Sequence, residues 1–346
     1  MTVSGRFPAK SDDGVILLAH GDGGALTHNL IKELFLKYFR NESLLSLTDA
    51  AVLNAAEGRL CLTTDSFVVD PVFFPGGDIG FLSVCCTVND LAVSGARPRY
   101  LTASFVIEEG FALKDLERVV SSMAAACRAA GVGVVAGDTK VVGRGHLDKI
   151  FITTTGVGFV PEGVDLGYHR LAPGDLVLVN GSVGNHGLAV LAAREELGLD
   201  GRLESDCAPL NGLIEQLFRR FGKGIKIMRD LTRGGLATAL KEIAVSSGVD
   251  FYISEGAIPV DAEVSGAAEM LGLDPLYLAN EGKFLLVIEA ALAEAALAVM
   301  RGDGLGRRAS IIGEVRAGGG KVYLQTLPGG TRLLDLLAGA PLPRIC

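Results

Sequence analysis

No stretch of this 346-residue chain is long and apolar enough to cross a bilayer. The longest charge-free run, Leu176 to Ala193, is broken by Asn180, Asn185, His186 and three glycines, which disqualifies it as a membrane span. Blocks of basic residues are absent too. With a formal net charge of −8 and a pI near 5.3, the composition argues against a general nucleic-acid surface, which needs a basic face. Residues Met1 to Gly14 carry Asp12 and Asp13 and have no apolar core, unlike a secretory leader, so a cytoplasmic location is the default expectation. Cys61, Cys85, Cys86, Cys127, Cys207 and Cys346 include no Cys-x-x-Cys pair and no histidine at zinc-finger spacing, which excludes a thiolate metal cage. The Gly-x-x-x-x-Gly-Lys-[Ser/Thr] phosphate loop is missing, against a Walker-type NTPase. Low-complexity segments and short repeats are missing as well.

What remains is the composition of a well-packed globular protein, 49% hydrophobic and 21% charged, at a length that favours two domains. Strand-like and helix-like segments follow one another in both halves, so an α/β (α+β) class is expected. Residues 1–160 are read as an N-terminal domain, 161–174 as a Pro- and Gly-containing linker, 175–340 as a C-terminal α/β domain and 341–346 as a tail. Strands are expected over Leu60–Asp70, Leu101–Ile107, Lys149–Val160, Asp175–Val179 and Phe284–Ile288, and near Ile311–Val315 and Val322–Gln325. Leu113–Ala130 reads as a helix, with Leu116, Val120, Met123 and Cys127 on its apolar face. Cys85 and Cys86 are expected to be core residues; Cys346 is the cysteine for which burial is not the first expectation.

Glycine-rich helix entries occur at His20–Gly24, Gly181–Gly187 and Arg229–Leu236, and each could hold an anion or simply turn the chain. Gly131, Gly133 and Ala136 match Gly-x-Gly-x-x-Ala, but they follow a helix where a dinucleotide fingerprint follows a strand, so a Rossmann site is rejected. Asp65, Asp90 and Asp138 each stand in apolar surroundings, at positions read as strand or turn. A carboxylate there needs a partner or a cation, and three of them suit magnesium bridging nucleotide phosphates. Asp138 beside Lys140 suits the same pairing. The sequence closes on Pro341-Leu342-Pro343-Arg344-Ile345-Cys346, a stiff segment of about 20 Å reach that could carry a covalent group on its thiol.

Thr63–Phe67, Pro75–Gly80, Thr87–Ala92, Gly137–Lys140, Arg229–Leu236 and the terminal Pro343-Arg344-Ile345-Cys346 resemble the HypE family, carbamoyl dehydratases of [NiFe]-hydrogenase maturation. The resemblance runs from about His20 to Cys346, and the ending is its most specific part. It implies the PurM-like two-domain fold of the aminoimidazole ribonucleotide synthetase superfamily, usually homodimeric, with ATP in the N-terminal domain. It also implies a reaction. The carbamoyltransferase HypF would place a carbamoyl group on Cys346, ATP would activate the amide oxygen, and loss of phosphate would leave a thiocyanate. The HypC–HypD iron scaffold would then accept the cyanide ligand.

Under that resemblance Cys346 is the acceptor, and Lys140 and Glu281 handle the carboxamide and its protons, with a phosphate clamp as a second reading of Lys140. Asp65, Asp90 and Asp138 hold Mg2+ and phosphate. Asn89, Thr139, Gly21 and Gly23 are further ATP contacts. Arg344 either steers the tail or lowers the thiol pKa. Two other readings stand beside this one: a small-molecule kinase or synthetase such as thiamine-phosphate kinase, for which Cys346 is dispensable, and a nucleotide-binding scaffold that docks partners through its tail.

Overall fold

A computed structural model describes residues 14–45, 47, 50–195, 197, 203–337, 339 and 342–346. Asp12, Asp13 and Pro341, on which expectations above fall, lie outside them. The chain forms a mixed α/β fold around two sheets, as expected. The first has four strands: β1 (Arg59–Phe67), β2 (Arg97–Glu108), β3 (Gly133–Val142) and β4 (Ile150–Val160), in the order β1-β4-β2-β3. Only the β2–β3 pair is parallel. The second sheet has seven strands: β5 (Leu176–Val179), β6 (Ile225–Asp230), β7 (Val249–Ser254), β8 (Phe284–Ile288), β9 (Ser310–Ala317), β10 (Val322–Gln325) and β11 (Thr331–Leu334), in the order β11-β10-β7-β9-β5-β8-β6.

Period-two burial makes the first sheet one-sided. Leu101, Ala103, Phe105 and Ile107 of β2 are buried against helices, whereas intervening residues are partly exposed. The covering helices are α1 (Ile79–Val93) and α2 (Leu113–Ala130). On α2 the residues Leu116, Val120, Met123 and Cys127 are all buried, at the three- and four-residue spacing that makes one helical face. Gly131 ends that helix in the left-handed region (φ 70°), where a Cβ would be strained.

Helix α1 overturns one expectation. The stretch through Asn89 and Asp90 is helical, not strand or turn, because Asp78 caps it by accepting from the Gly80 and Phe81 amides at 2.8 and 3.1 Å. It is apolar almost all round because its start lies under the first sheet and its end, Ala92 and Val93, enters the core beside the second. Helices α4 (Asn211–Phe221), α5 (Gly235–Ser247) and α7 (Ala290–Gly302) pack on the seven-stranded sheet, while α3 (Asn185–Arg194) and α6 (Ala262–Leu271) pack on each other. Among the described residues no helix is long and apolar enough to cross a membrane.

Candidate active site

Side chains of β1 alternate between the faces of its sheet, so Thr63, Asp65 and Phe67 turn toward α1. On α1, Thr87 and Asp90 are three residues apart and share a face. The two elements therefore interlock: Thr63 donates to Asp90 at 2.8 Å and Thr87 to Asp65 at 3.1 Å. Asp230, the last residue of β6, enters from the other sheet, and the charge of Asp90 acts on both Asp65 and Asp230. Burial, then the charge of Asp90, pushes Asp65 up to about 6 and Asp230 up to about 7. Arg233 opposes the shift at Asp65. This all-oxygen, charge-crowded donor set fits a hard divalent cation. Among the described residues, however, no three such groups already stand in a metal cage.

Glu281 sits beside that trio in the turn before β8. Its amide donates to Asp206 at 3.1 Å, and its carbonyl accepts from Asn89 at 3.1 Å. A Cβ on Gly282 would collide with the Asp206 carbonyl, so glycine permits this close approach. The Glu281 side chain is fully buried. Its Oε2 accepts from the Cys86 thiol at 2.6 Å, and its Oε1 has no hydrogen-bond partner. Burial drives its pKa well above the usual carboxylate range; the Cys86 bond opposes this, and Asp230, Asp206 and Asp90 add to it.

The tail threads into the same junction. Val68 donates to the Cys346 carbonyl at 3.1 Å and Asp70 to the Arg344 carbonyl at 3.3 Å, so the tail lies along the chain just past β1. Ile345 is buried in the core under the first sheet, and Cys346 packs against that core half-buried. The Cys346 thiol is pushed up to about 12, first by burial and then by Glu281, with Arg233 as the opposing cation. Of the two roles read for Arg344, the contacts favour steering: it bonds the Val68 carbonyl at 2.9 Å and Asp148 at 2.7 Å. The thiol is not lowered; in this setting it is raised, because desolvation outweighs the nearby positive charge.

A second locus lies at the far edge of the sheet. Gly21, Gly23, Asp138, Thr139 and Lys140 line a cavity of about 340 Å³, with Phe35 and Phe39 on its wall. Asp22, in the same glycine loop, accepts from the Gly24 amide at 2.9 Å. Asp138 and Lys140 form an exposed ion pair at 3.0 Å. The cross-strand row Asp138, Ser104, Thr153, Ser66 places Asp138 on the face away from the helices and three strands from β1, roughly 14 Å at about 4.8 Å per strand. Within one chain, then, Asp65 and Asp90 are together and Asp138 is apart from them. Lys140 is likewise apart from Glu281 and Cys346.

The two AIR synthase related protein domain models match residues 172–325 (C-terminal) and 47–160 (N-terminal). Carbamoyl dehydratase HypE of Cupriavidus necator is 51% identical over 98% of this chain and 97% of its own length. The chain belongs to the HypE family. A HypE crystal structure in complex with ATP superposes with a TM-score of 0.92 at 49% identity, covering 95% of this chain and 99% of that one. HypE in a HypE–HypF complex matches with a TM-score of 0.78 at 50% identity, covering 91% of this chain and 100% of that one.

Several groups of this candidate site are not singled out by sequence reasoning. Asp230 enters the sequence reading only as part of a glycine-rich helix entry; the available signal is a carboxylate closing the buried strand Ile225–Asp230. Asp206, His186 and Cys86 carried no such signal, since each becomes informative only through what folds against it. Asn89 has a structural engagement. Both its amide protons go to the Ala208 and Glu281 carbonyls, and its Oδ1 accepts from Leu210 at 2.7 Å, so it holds the Glu281 turn to α1.

Proposed function

We propose that this HypE-family protein dehydrates an S-carboxamide carried on its own Cys346, using ATP, to a thiocyanate that supplies the cyanide ligand of a [NiFe] centre. The observation that carries this reading is the seating of the terminal thiol beside a buried carboxyl, Glu281, one oxygen of which has no partner. A carboxamide on that sulfur would put its nitrogen where a carboxylate can take a proton. In balance, the amide oxygen leaves on phosphate, both nitrogen protons are lost, and the C–N bond becomes a triple bond while the C–S bond is kept.

Asp65, Asp90 and Asp230 are the residues that would hold Mg2+, which would neutralise phosphate charge there. Relief of the repulsion from Asp230 and Asp90 would let Glu281 release its proton and act as the base. The apolar walls around Cys86 and Ile345 exclude water that would hydrolyse the activated intermediate. The cavity with Gly21, Gly23, Asp138, Thr139 and Lys140 suits ATP, and Lys140 there is best read as a phosphate clamp.

A homodimer is part of the proposal. Leu60 and Leu62 stand exposed on the face of the first sheet that also carries Asp138 and Lys140, an apolar patch that a second copy would cover. Leu62→Asp is expected to shift the protein to monomer in sedimentation equilibrium. The named HypE–HypF complex supports HypF as the carbamoyl donor, and the HypC–HypD scaffold is proposed as acceptor; carbon-13 label carried from Cys346 to that scaffold is the check.

Mass analysis of the C-terminal peptide tests the central claim. Incubation with the transferase, carbamoyl phosphate and ATP is expected to give a carboxamide adduct and then its dehydrated product. Cyanide-donor activity persisting in Cys346→Ala sinks the reading.

A further inference from the structure

Two residues of α3 grip the tail, Arg194 away from the reacting groups and His186 with its Nε2 3.9 Å from Glu281 Oε1. We propose that His186 and Arg194 form a latch that holds the tail in its seat beside Glu281 and sets how readily Cys346 leaves it. Both are positioning residues. Arg194 spends its guanidinium on backbone carbonyls: Nε on Asp70 at 2.8 Å, one terminal nitrogen on Pro343 at 2.8 Å and the other on Arg344 at 2.6 Å. It thereby joins the tail to the strand-like segment the tail lies along. His186, eight residues earlier and about 12 Å along the helix, places Nε2 at 2.9 Å from the Ile345 carbonyl. Because a carbonyl only accepts, Nε2 carries the proton, and Nδ1 accepts from the Ser205 hydroxyl at 2.8 Å. Phe74 packs edge-on to the imidazole and fixes its plane.

One helix thus holds three successive carbonyls, of Pro343, Arg344 and Ile345. Successive carbonyls of an extended chain point to opposite sides. The tail reconciles this with a kink: Arg344 has φ 51°, a left-handed conformation that an arginine adopts at a cost. The Arg344 side chain meanwhile reaches Val68 and Asp148 on the other side. A strained backbone held between α3 and the end of β1 is a built seat, not an end lying by chance on a surface.

The latch itself is geometric; only its purpose rests on the dehydratase reading. A thiol beside Glu281 must leave to meet a transferase and return for dehydration, so the grip has to be firm but reversible.

The test uses the full chain, without ATP or transferase, labelled with N-ethylmaleimide under native conditions and read by mass of the C-terminal peptide. Buried Cys127 is the internal control for folding. Arg194→Ala is expected to raise the Cys346 labelling rate roughly tenfold or more, as charge-assisted hydrogen bonds to two tail carbonyls are lost. Arg194→Lys, able to reach one carbonyl, is expected to fall between. His186→Asn keeps a donor and should stay nearer the parent than His186→Leu. An unchanged Cys346 rate in Arg194→Ala, with Cys127 still protected, overturns the latch whether or not the histidine variants fold. With transferase and ATP present, Arg194→Ala is expected to accept the carbamoyl group at least as fast as the parent yet form nitrile roughly tenfold more slowly. An equal loss of both steps also overturns it. Absence of nitrile in the parent protein counts against the dehydratase reading alone and leaves the labelling result standing.

Discussion

The junction under β1 and the cavity at the β3 edge contain the same kinds of side chain, aspartates with a nearby cation, in opposite physical settings. At the junction, Asp65, Asp230, Glu281 and Cys346 are desolvated and crowded by like charge, and all four hold their protons more tightly than usual. At the edge, the ion pair of Asp138 and Lys140 faces solvent, where such a pair is worth little for stability and is free to exchange partners. Burial makes the first locus suited to proton transfer, and exposure makes the second suited to binding.

Four substitutions can break or sharpen that contrast, the largest effect first. Cys346→Ala is expected to abolish nitrile formation completely while leaving ATP binding within about twofold of the parent by calorimetry. Glu281→Gln keeps the shape but removes the base; carbamoylation of Cys346 should persist while nitrile formation falls by about 10²–10⁴-fold in single-turnover mass analysis. Lys140→Ala, at the exposed locus, should weaken ATP roughly tenfold and retain most of the rate at saturating ATP. A stall at saturating ATP would instead place Lys140 with the chemistry.

The last substitution, Asp230→Asn, is read on stability and not on catalysis, where the effect is small and its sign is diagnostic. The native carboxyl titrates near 7, above the unfolded value of about 3.9, so the native state binds the proton more tightly. Stability from this group is present below about pH 4 and is lost as pH rises toward 7. Removing the charge should therefore stabilise the fold at pH 8, by an amount on the order of 1–2 kcal/mol, and change nothing at pH 4. Thermal melts at the two pH values check this.

Much of the fold was legible because its signals are local. The helix Leu113–Ala130 and the strands Phe284–Ile288 and Val322–Gln325 have the bounds their periodicity predicts. Helix α1 was misread because burial on every side erases the amphipathic period, leaving the Asp78 cap as the only marker. At the site, Asp65 is visible in sequence as a carboxylate in apolar surroundings, whereas Glu281 enters only through the family resemblance. Asn89, read in sequence as an ATP contact, hydrogen-bonds the Glu281 carbonyl and the Ala208 carbonyl, partners that no local pattern could have named.

The tail shows the division most clearly. By itself the sequence determined that a stiff segment ends in a thiol, that the chain is α/β, and that its motifs are those of a dehydratase family, because these depend on residue type and near neighbours. Only the tertiary structure decided that Cys346 lies half-buried beside Glu281, that within one chain Asp230 comes to Asp65 and Asp90 while Asp138 stands apart, and that α3 grips the tail. Those outcomes depend on which faces meet when two sheets pack about one helix, and residues 65, 90, 186, 230, 281 and 346 are too far apart in the chain for any local pattern to encode it.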